Sequence, residues 1–245
     1  MPVLHANHLT MRTALTATHF LHSDTGVVRS RNEDDLLALP EIGLWVVCDG
    51  MGGHDAGDYA SHHIVSRLSQ VPFPEHAGSQ IRALERSLQE SNAHLIDYTS
   101  SQGMDCVGST VVALMLKDVR ATVIWIGDSR AYRLRNQCIR MISRDHSVAE
   151  EQAEQGVAVN DELSSAITRA VGVMPEFDID LMVSQSCAGD TWLLCSDGVS
   201  GSVEEHQMAQ ILMTSHDPAR ELVDQAIKQG SRDNCTAVVV RIAAV

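Results

Sequence analysis

Four carboxylates share one setting in this chain: each lies at the end of a short, strongly β-prone apolar run. Asp49 closes WVVCD, Asp128 follows VIWIG, Asp197 ends WLLCSD, and Asp233 stands just before CTAVVVRI. Taken singly, an Asp at a strand end is a turn former or a helix cap. Four at the rims of strands are a set, and if the rims converge the carboxylates meet. Several ionised carboxylates share a small volume only when cations compensate them, because like charges repel and raise one another's pKa. Oxygen-only donors select hard divalent ions such as Mg²⁺ or Mn²⁺ over zinc, which favours Cys and His. Gly50, directly after Asp49, has no Cβ and so lets its backbone carbonyl approach an ion that Asp49 already holds.

A second cluster, RSRNEDD at residues 29–35, places Glu33, Asp34 and Asp35 beside Arg29 and Arg31. On its own it reads as a solvated charged turn. Its mixed sign also suits a site that holds metal and a dianion together, since Arg presents a planar fork to phosphate oxygens. The six cysteines, at 48, 106, 138, 187, 195 and 235, form no CxxC pair and no ligand spacing. They are expected to be reduced and structural.

Hydrophobic periodicity shows the elements that must position these groups. Residues 13–20 and 44–48 read as strands. From Asp55 onward Tyr59, Ile64, Val65 and Leu68 recur at helical spacing, and the stripe Ile81, Leu84, Leu88, Leu95, Ile96 predicts a second helix over 79–98. Two antiparallel hairpins follow, 109–116 with 119–127, then 131–135 with 138–142 around Asn136-Gln137. Residues 145–166 are polar and acidic, an excursion from the core with one weak helix over 148–155. Strands at 178–183 and 191–195, helices at 204–213 and 218–229, and a strand at 235–242 complete the order. Helices do not alternate regularly with strands, so a parallel sheet is disfavoured. The pattern predicts an α+β fold of two packed antiparallel sheets flanked by helices, an α-β-β-α sandwich.

The motifs, taken in order, resemble a known family. Arg29-x-x-Asn32-Glu33-Asp34, Asp49-Gly50-Met51-Gly52-Gly53-His54, Gly108-Ser109-Thr110, Gly127-Asp128-Ser129-Arg130, Thr168-Arg169-Ala170, Ser196-Asp197-Gly198 and Arg232-Asp233-Asn234 are similar to those of the metal-dependent protein phosphatases of the 2C type. The resemblance implies a centre of two Mn²⁺ or Mg²⁺ ions, bridged by Asp49, with the Gly50 carbonyl on one ion and Asp197 and Asp233 on the first. Asp128 and Asp197 would form a weaker third-metal site. Glu33 and Asp34 match the acidic pair that orders metals or their waters, Arg29 the phosphate-binding arginine, and His54 the proposed general acid. Residues 145–166 match the variable flap. The implied reaction is hydrolysis of phosphoserine and phosphothreonine in proteins by a metal-activated bridging water, reversing a partner Ser/Thr kinase. A role in type VI secretion control is a further implication. Among twelve histidines only His54 receives a role, and His146 is expected at the surface near the flap.

The bulk composition fits this reading. A formal charge of −14 argues against nucleic acid or anionic lipid as partners, since both want clustered Lys and Arg. It equally disfavours a two-metal nuclease, and a non-catalytic regulator would be marked by lost ligands, whereas every matched metal position is acidic. No apolar run is long enough to span a membrane, and residues 1–11 lack a basic flank followed by an apolar block. The expectation is a cytoplasmic monomer, residues 1–245 forming one catalytic domain with an N-terminal tail at 1–11.

Overall fold

The computed structural model describes residues 15–53, 56–156 and 166–245. Residues 1–14, with the N-terminal tail, the two residues His54 and Asp55, and residues 157–165 of the flap lie outside them. The elements in order are β1 (Leu15–Asp24), β2 (Asp34–Leu39), β3 (Leu44–Gly52), α1 (Gly57–Ser69), α2 (Ala77–Gln102), β4 (Val107–Ser109), β5 (Val111–Lys117), β6 (Arg120–Ile126), β7 (Arg130–Arg135), β8 (Cys138–Met141), α3 (Val148–Glu154), β9 (Asp180–Gln185), β10 (Thr191–Cys195), α4 (Asp197–Ser200), α5 (Glu205–Thr214), α6 (Pro218–Lys228) and β11 (Cys235–Ala244). One five-stranded sheet runs β1-β11-β10-β7-β8, and one six-stranded sheet runs β2-β3-β5-β6-β9 with β4 paired to the end of β3. Every named pairing is antiparallel.

Three layers of apolar contact explain why runs such as Leu44-Trp45-Val46-Val47-Cys48 are apolar at every position. Side chains alternate across a strand. Leu44, Val46 and Cys48 therefore face α1 and α2, where they pack with Ile64, Leu68, Leu84, Leu88 and Leu95. Trp45 and Val47 face the other sheet and pack with Trp192, Leu194, Val238 and Val240. On the far side Leu193, Cys195, Ala237 and Val239 meet Leu212, Leu222 and Val223 of α5 and α6. Trp45 and Trp192 are fully buried between the sheets, where truncation to Ala costs about 3–5 kcal/mol. Helix α6 starts where its sequence dictates: the Asp217 carboxylate accepts from the Arg220 amide, and Pro218 occupies the first turn.

Two expectations need correction. Asp34 and Asp35, read from sequence as part of the charged turn 29–35, open strand β2, because Leu36 and Ala38 reach the inter-sheet core while Leu37 packs toward the helices. The run 109–116 is not one strand but breaks at Thr110. Below the break β5 pairs with the first half of β3 (Val47 opposite Val112), and above it β4 pairs with the end of β3 (Gly50 opposite Ser109).

Candidate active site

The alternation that buries Trp45 and Val47 between the sheets continues to Asp49, which lies on the same face at the mouth of that layer. The same count on β2 takes Leu36 to Asp34, and the register sets Asp34 directly opposite Asp49. On the facing sheet Ser196 follows Leu194, and Thr236 precedes Val238. The inter-sheet core therefore ends in a polar layer, with the Ser196 hydroxyl donating to Asp34 Oδ2 at 2.7 Å.

The break at Thr110 fixes Asp49. The Thr110 amide donates to the Asp49 carbonyl at 2.8 Å, and its hydroxyl accepts from the Asp49 amide at 3.2 Å. Ser109 adds a hydroxyl bond to the same carbonyl at 3.0 Å. Asn234 plays a similar part for the acidic loop: its side chain accepts from the Glu33 amide at 2.8 Å and donates to the Thr25 and Arg31 carbonyls. Sequence reasoning names Thr110 and Asn234 only as members of motifs. The signal for Asn234 is its place between Asp233 and a buried strand, where an amide can serve both donors and acceptors.

Glu33 accepts from the Gly57 amide at 3.2 Å, a carboxylate on the positive end of α1. Gly50 has a packing reason besides the one expected: a Cβ there would lie 2.0 Å from the Gly57 carbonyl oxygen and 2.6 Å from that of Glu33. Arg29 reaches Asp233 at 2.6 Å and lies 4.0 Å from Glu33. Asp197 opens α4. Asp128 follows Gly127, whose φ of +101° turns the chain out of β6. His146 holds that turn, and here the expectation of a surface histidine is wrong. It is buried, its Nδ1 accepting from the Gly127 amide at 3.1 Å while its own amide donates to the Gly127 carbonyl at 2.9 Å. Nε2 then carries the proton toward Asp180 at 3.2 Å, and burial lowers the pKa of the ring. Arg130 grips Asp145 with Nε and Nη2, tying β7 to the base of the flap.

The carboxylates strain against one another. Burial, then the charges of Asp34, Asp197, Asp128 and Asp233, push Asp49 well above the usual range. Burial raises Asp34 to about 7 against the opposing hydroxyl bonds of Thr236 and Ser196. Asp128 also rises to about 7, from burial and then Asp197 and Asp145, and Asp197 rises from burial and then Asp233. Burial raises Glu33. Asp34 Oδ1, Asp128 Oδ1 and Asp197 Oδ1 are buried without a hydrogen-bond partner among the described residues. Oxygen atoms in that condition are what a hard cation would satisfy. Among the described residues no three His, Cys, Asp or Glu side chains stand close enough to enclose an ion unaided. The donor set thus fits ions that keep part of their water, as Mg²⁺ does.

Of the residues picked from sequence, Asp34, Asp49, Asp128, Asp197 and Asp233 lie close enough to act on one another's charge, with Arg29 beside Asp233 and Glu33, and Gly50 against the Glu33 backbone. His54 lies outside the described residues. Three of the cysteines, Cys48, Cys195 and Cys235, are free and buried.

A family model for protein phosphatase 2C matches residues 21–172. The serine/threonine phosphatase stp of Listeria monocytogenes serotype 4b is 32% identical over 234 residues, covering 89% of this chain and 93% of that protein. PppA, described as a key regulatory component of T6SS in Pseudomonas aeruginosa, has a structure similar to this one with a TM-score of 0.88, at 36% identity over 94% of this chain and 99% of its own. The catalytic domain of the serine/threonine protein phosphatase PstP in complex with 2 manganese ions gives a TM-score of 0.84, at 29% identity over 94% of this chain and 99% of its own. With its sandwich, its acidic cleft and these likenesses, the chain belongs to the protein phosphatase 2C family and is a protein serine/threonine phosphatase.

Proposed function

We propose that this chain, as a single catalytic domain, removes phosphate from phosphoserine and phosphothreonine in proteins with the help of two Mn²⁺ or Mg²⁺ ions and a weaker third. The observation that carries the reading is the convergence of five aspartates from five separate segments, three of them with buried, unpartnered oxygens. Asp49, Asp197, Asp233 and the Gly50 carbonyl would hold the first two ions, Asp128 and Asp197 the third, and Glu33 and Asp34 would order the shell. When bound, such ions supply Lewis acidity and a nucleophilic water at neutral pH.

The chain's own residues do the rest. Arg29, steered by Asp233 and Glu33, offers its guanidinium to phosphoryl oxygens as negative charge spreads over them. The pairing of Thr110 with the backbone of Asp49 keeps that carboxylate from following the substrate. Protonation of the leaving serine oxygen falls to His54, on the sequence argument alone. A His54→Ala variant should lose more rate on phosphoserine than on p-nitrophenyl phosphate, whose leaving group needs no proton. Equal losses would remove the acid role. The likeness to PppA supports a place in type VI secretion control, where the chain, as a cytoplasmic monomer, would reverse a partner Ser/Thr kinase.

The direct test is phosphate release from a phosphothreonine peptide with Mn²⁺ or Mg²⁺, with and without EDTA. Release that persists in EDTA, or none with any divalent ion, overturns the reading.

A further inference from the structure

The hairpin of β7 and β8 carries a feature the active site does not use. Its sequence RLRNQCIR turns at Asn136 and Gln137, whose φ angles of 50° and 63° make the tight two-residue turn that matches strand twist. The register sets Arg133 opposite Arg140 and Arg135 opposite Cys138. All four lie on one face, because Tyr132 and Leu134 take the other face into the core under α5 and α6. Arg133, Arg135, Asn136, Cys138 and Arg140 line a recess of about 300 Å³.

Three guanidiniums in one recess are unexpected in a chain with a formal charge of −14 and 18 Lys and Arg in all. Among the described residues one of them is neutralised by a carboxylate. Arg135 makes a two-pronged bond to Asp190 at 2.6 and 2.7 Å and donates to the Gln185 carbonyl at 2.8 Å. Arg133 lies over the Trp192 ring at 5.7 Å, yet its Nε is buried with no hydrogen-bond partner among the described residues. Arg140 is exposed, and neither it nor Arg133 has a carboxylate partner among the described residues. Like charges set directly opposite across two strands destabilise the pair, and a buried unsatisfied donor adds to that. An anionic group bound in the recess relieves both, and paired guanidiniums are the natural fork for carboxylate or phosphate.

We propose that this recess docks an acidic segment of the phosphoprotein substrate, an inference that rests on the phosphatase reading of the cleft. The placement favours a substrate segment over a free anion. Strand β7 starts two residues after Asp128, so at about 3.3 Å per residue Arg133 lies roughly 17 Å from the cleft along the strand. Extended peptide covers that distance in about five residues. Arg130, between the two, is already held by Asp145 and does not compete. A substrate with its phosphoresidue in the cleft and acids about five to seven residues away meets both sites at once, and the second contact raises the effective concentration of the first.

The test uses phosphothreonine peptides carrying four acidic residues at that spacing, on the N-terminal or the C-terminal side, beside versions with neutral residues there. For the wild-type protein kcat/KM on one acidic peptide should exceed its neutral version by about tenfold, through KM, and the advantage should shrink with added salt. R140Q and R133Q/R140Q should erase the advantage while leaving p-nitrophenyl phosphate turnover unchanged. Because Arg133 packs on Trp192, R140E is the check that does not depend on that contact. Binding of a labelled, unphosphorylated acidic peptide provides a readout independent of catalysis. Its loss in R140E supports docking even if no substrate turns over, a failure that would count against the phosphatase reading alone. Equal kcat/KM for acidic and neutral peptides, or an advantage that survives R133Q/R140Q, overturns the proposal. So does a recess whose arginines bind inorganic phosphate without distinguishing the peptides.

Discussion

A carboxyl group buried against four others is stable only if it keeps a proton or gains a cation, and that choice sets what each substitution will do. Removing Asp49 or Asp197 removes donors and repulsion together. We expect Asp49→Ala and Asp197→Ala to lower phosphopeptide turnover at least about 100-fold, since even outer-shell partners of metal ligands cost 10- to 100-fold. Their melting temperatures in EDTA should match or exceed wild type. Turnover near wild type, or a collapsed fold in EDTA, would contradict the assignment. His63 makes a different prediction, far from the cleft. Its ring stacks on His94 with centroids 4.2 Å apart, its Nε2 is buried and unpartnered, and burial followed by the His94 charge lowers its pKa to about 4. In the unfolded chain a histidine takes up its proton near 6.5. Between those values the unfolded state binds more protons, so stability falls as pH drops from about 6.5 toward 4. Urea unfolding at pH 7, 6 and 5 should show a shallower fall in His63→Leu than in wild type.

At the scale of elements, a guanidinium ties the two sheets together at one edge. Arg135 on β7 bonds Asp190 ahead of β10 and the carbonyl of Gln185 on β9, in the other sheet. Ser186 and the Cys187 amide complete the shell of Asp190, whose pKa is lowered by these bonds in spite of burial. Arg135 keeps contact with water, but losing Asp190 leaves the Ser186 hydroxyl and the Cys187 amide without their acceptor, so Asp190→Ala should cost about 1–3 kcal/mol in urea unfolding with p-nitrophenyl phosphate turnover unchanged in the folded fraction. The strands that end in aspartate are readable from composition, because a layer buried on both faces demands an unbroken apolar run. Three features are not. Asp34 looks like part of a charged turn because its burial comes from its register with Asp49, which no local pattern encodes. The break at Thr110 falls inside a uniform β-prone run and is imposed by two partners competing for one stretch. His146 stands next to an acid and a serine and reads as surface, yet the reversal at Gly127 draws it inward under Trp125.

For the whole molecule, the repulsion within the cleft is a standing cost in the absence of divalent ions. Ions that bind only the folded state stabilise it by about 2.7 kcal/mol at 100 times their Kd. For a domain of this size each kcal/mol moves the melting point by about 2–4 °C, so saturating Mn²⁺ should raise it by roughly 5–10 °C over EDTA. No shift with Mn²⁺ or Mg²⁺ would show that the cleft does not take them. The order of the five-stranded sheet has one more consequence, for how the protein is made. Strand β11 follows every other described strand in sequence, yet it lies between β1 and β10, and Asp233 stands two residues before it. During synthesis at about 5–20 residues per second, β1 leaves the ribosome with no neighbour to pair with and must wait for nearly everything that follows. Strand β1 and Asp233 therefore reach their places only once β11 has paired between β1 and β10.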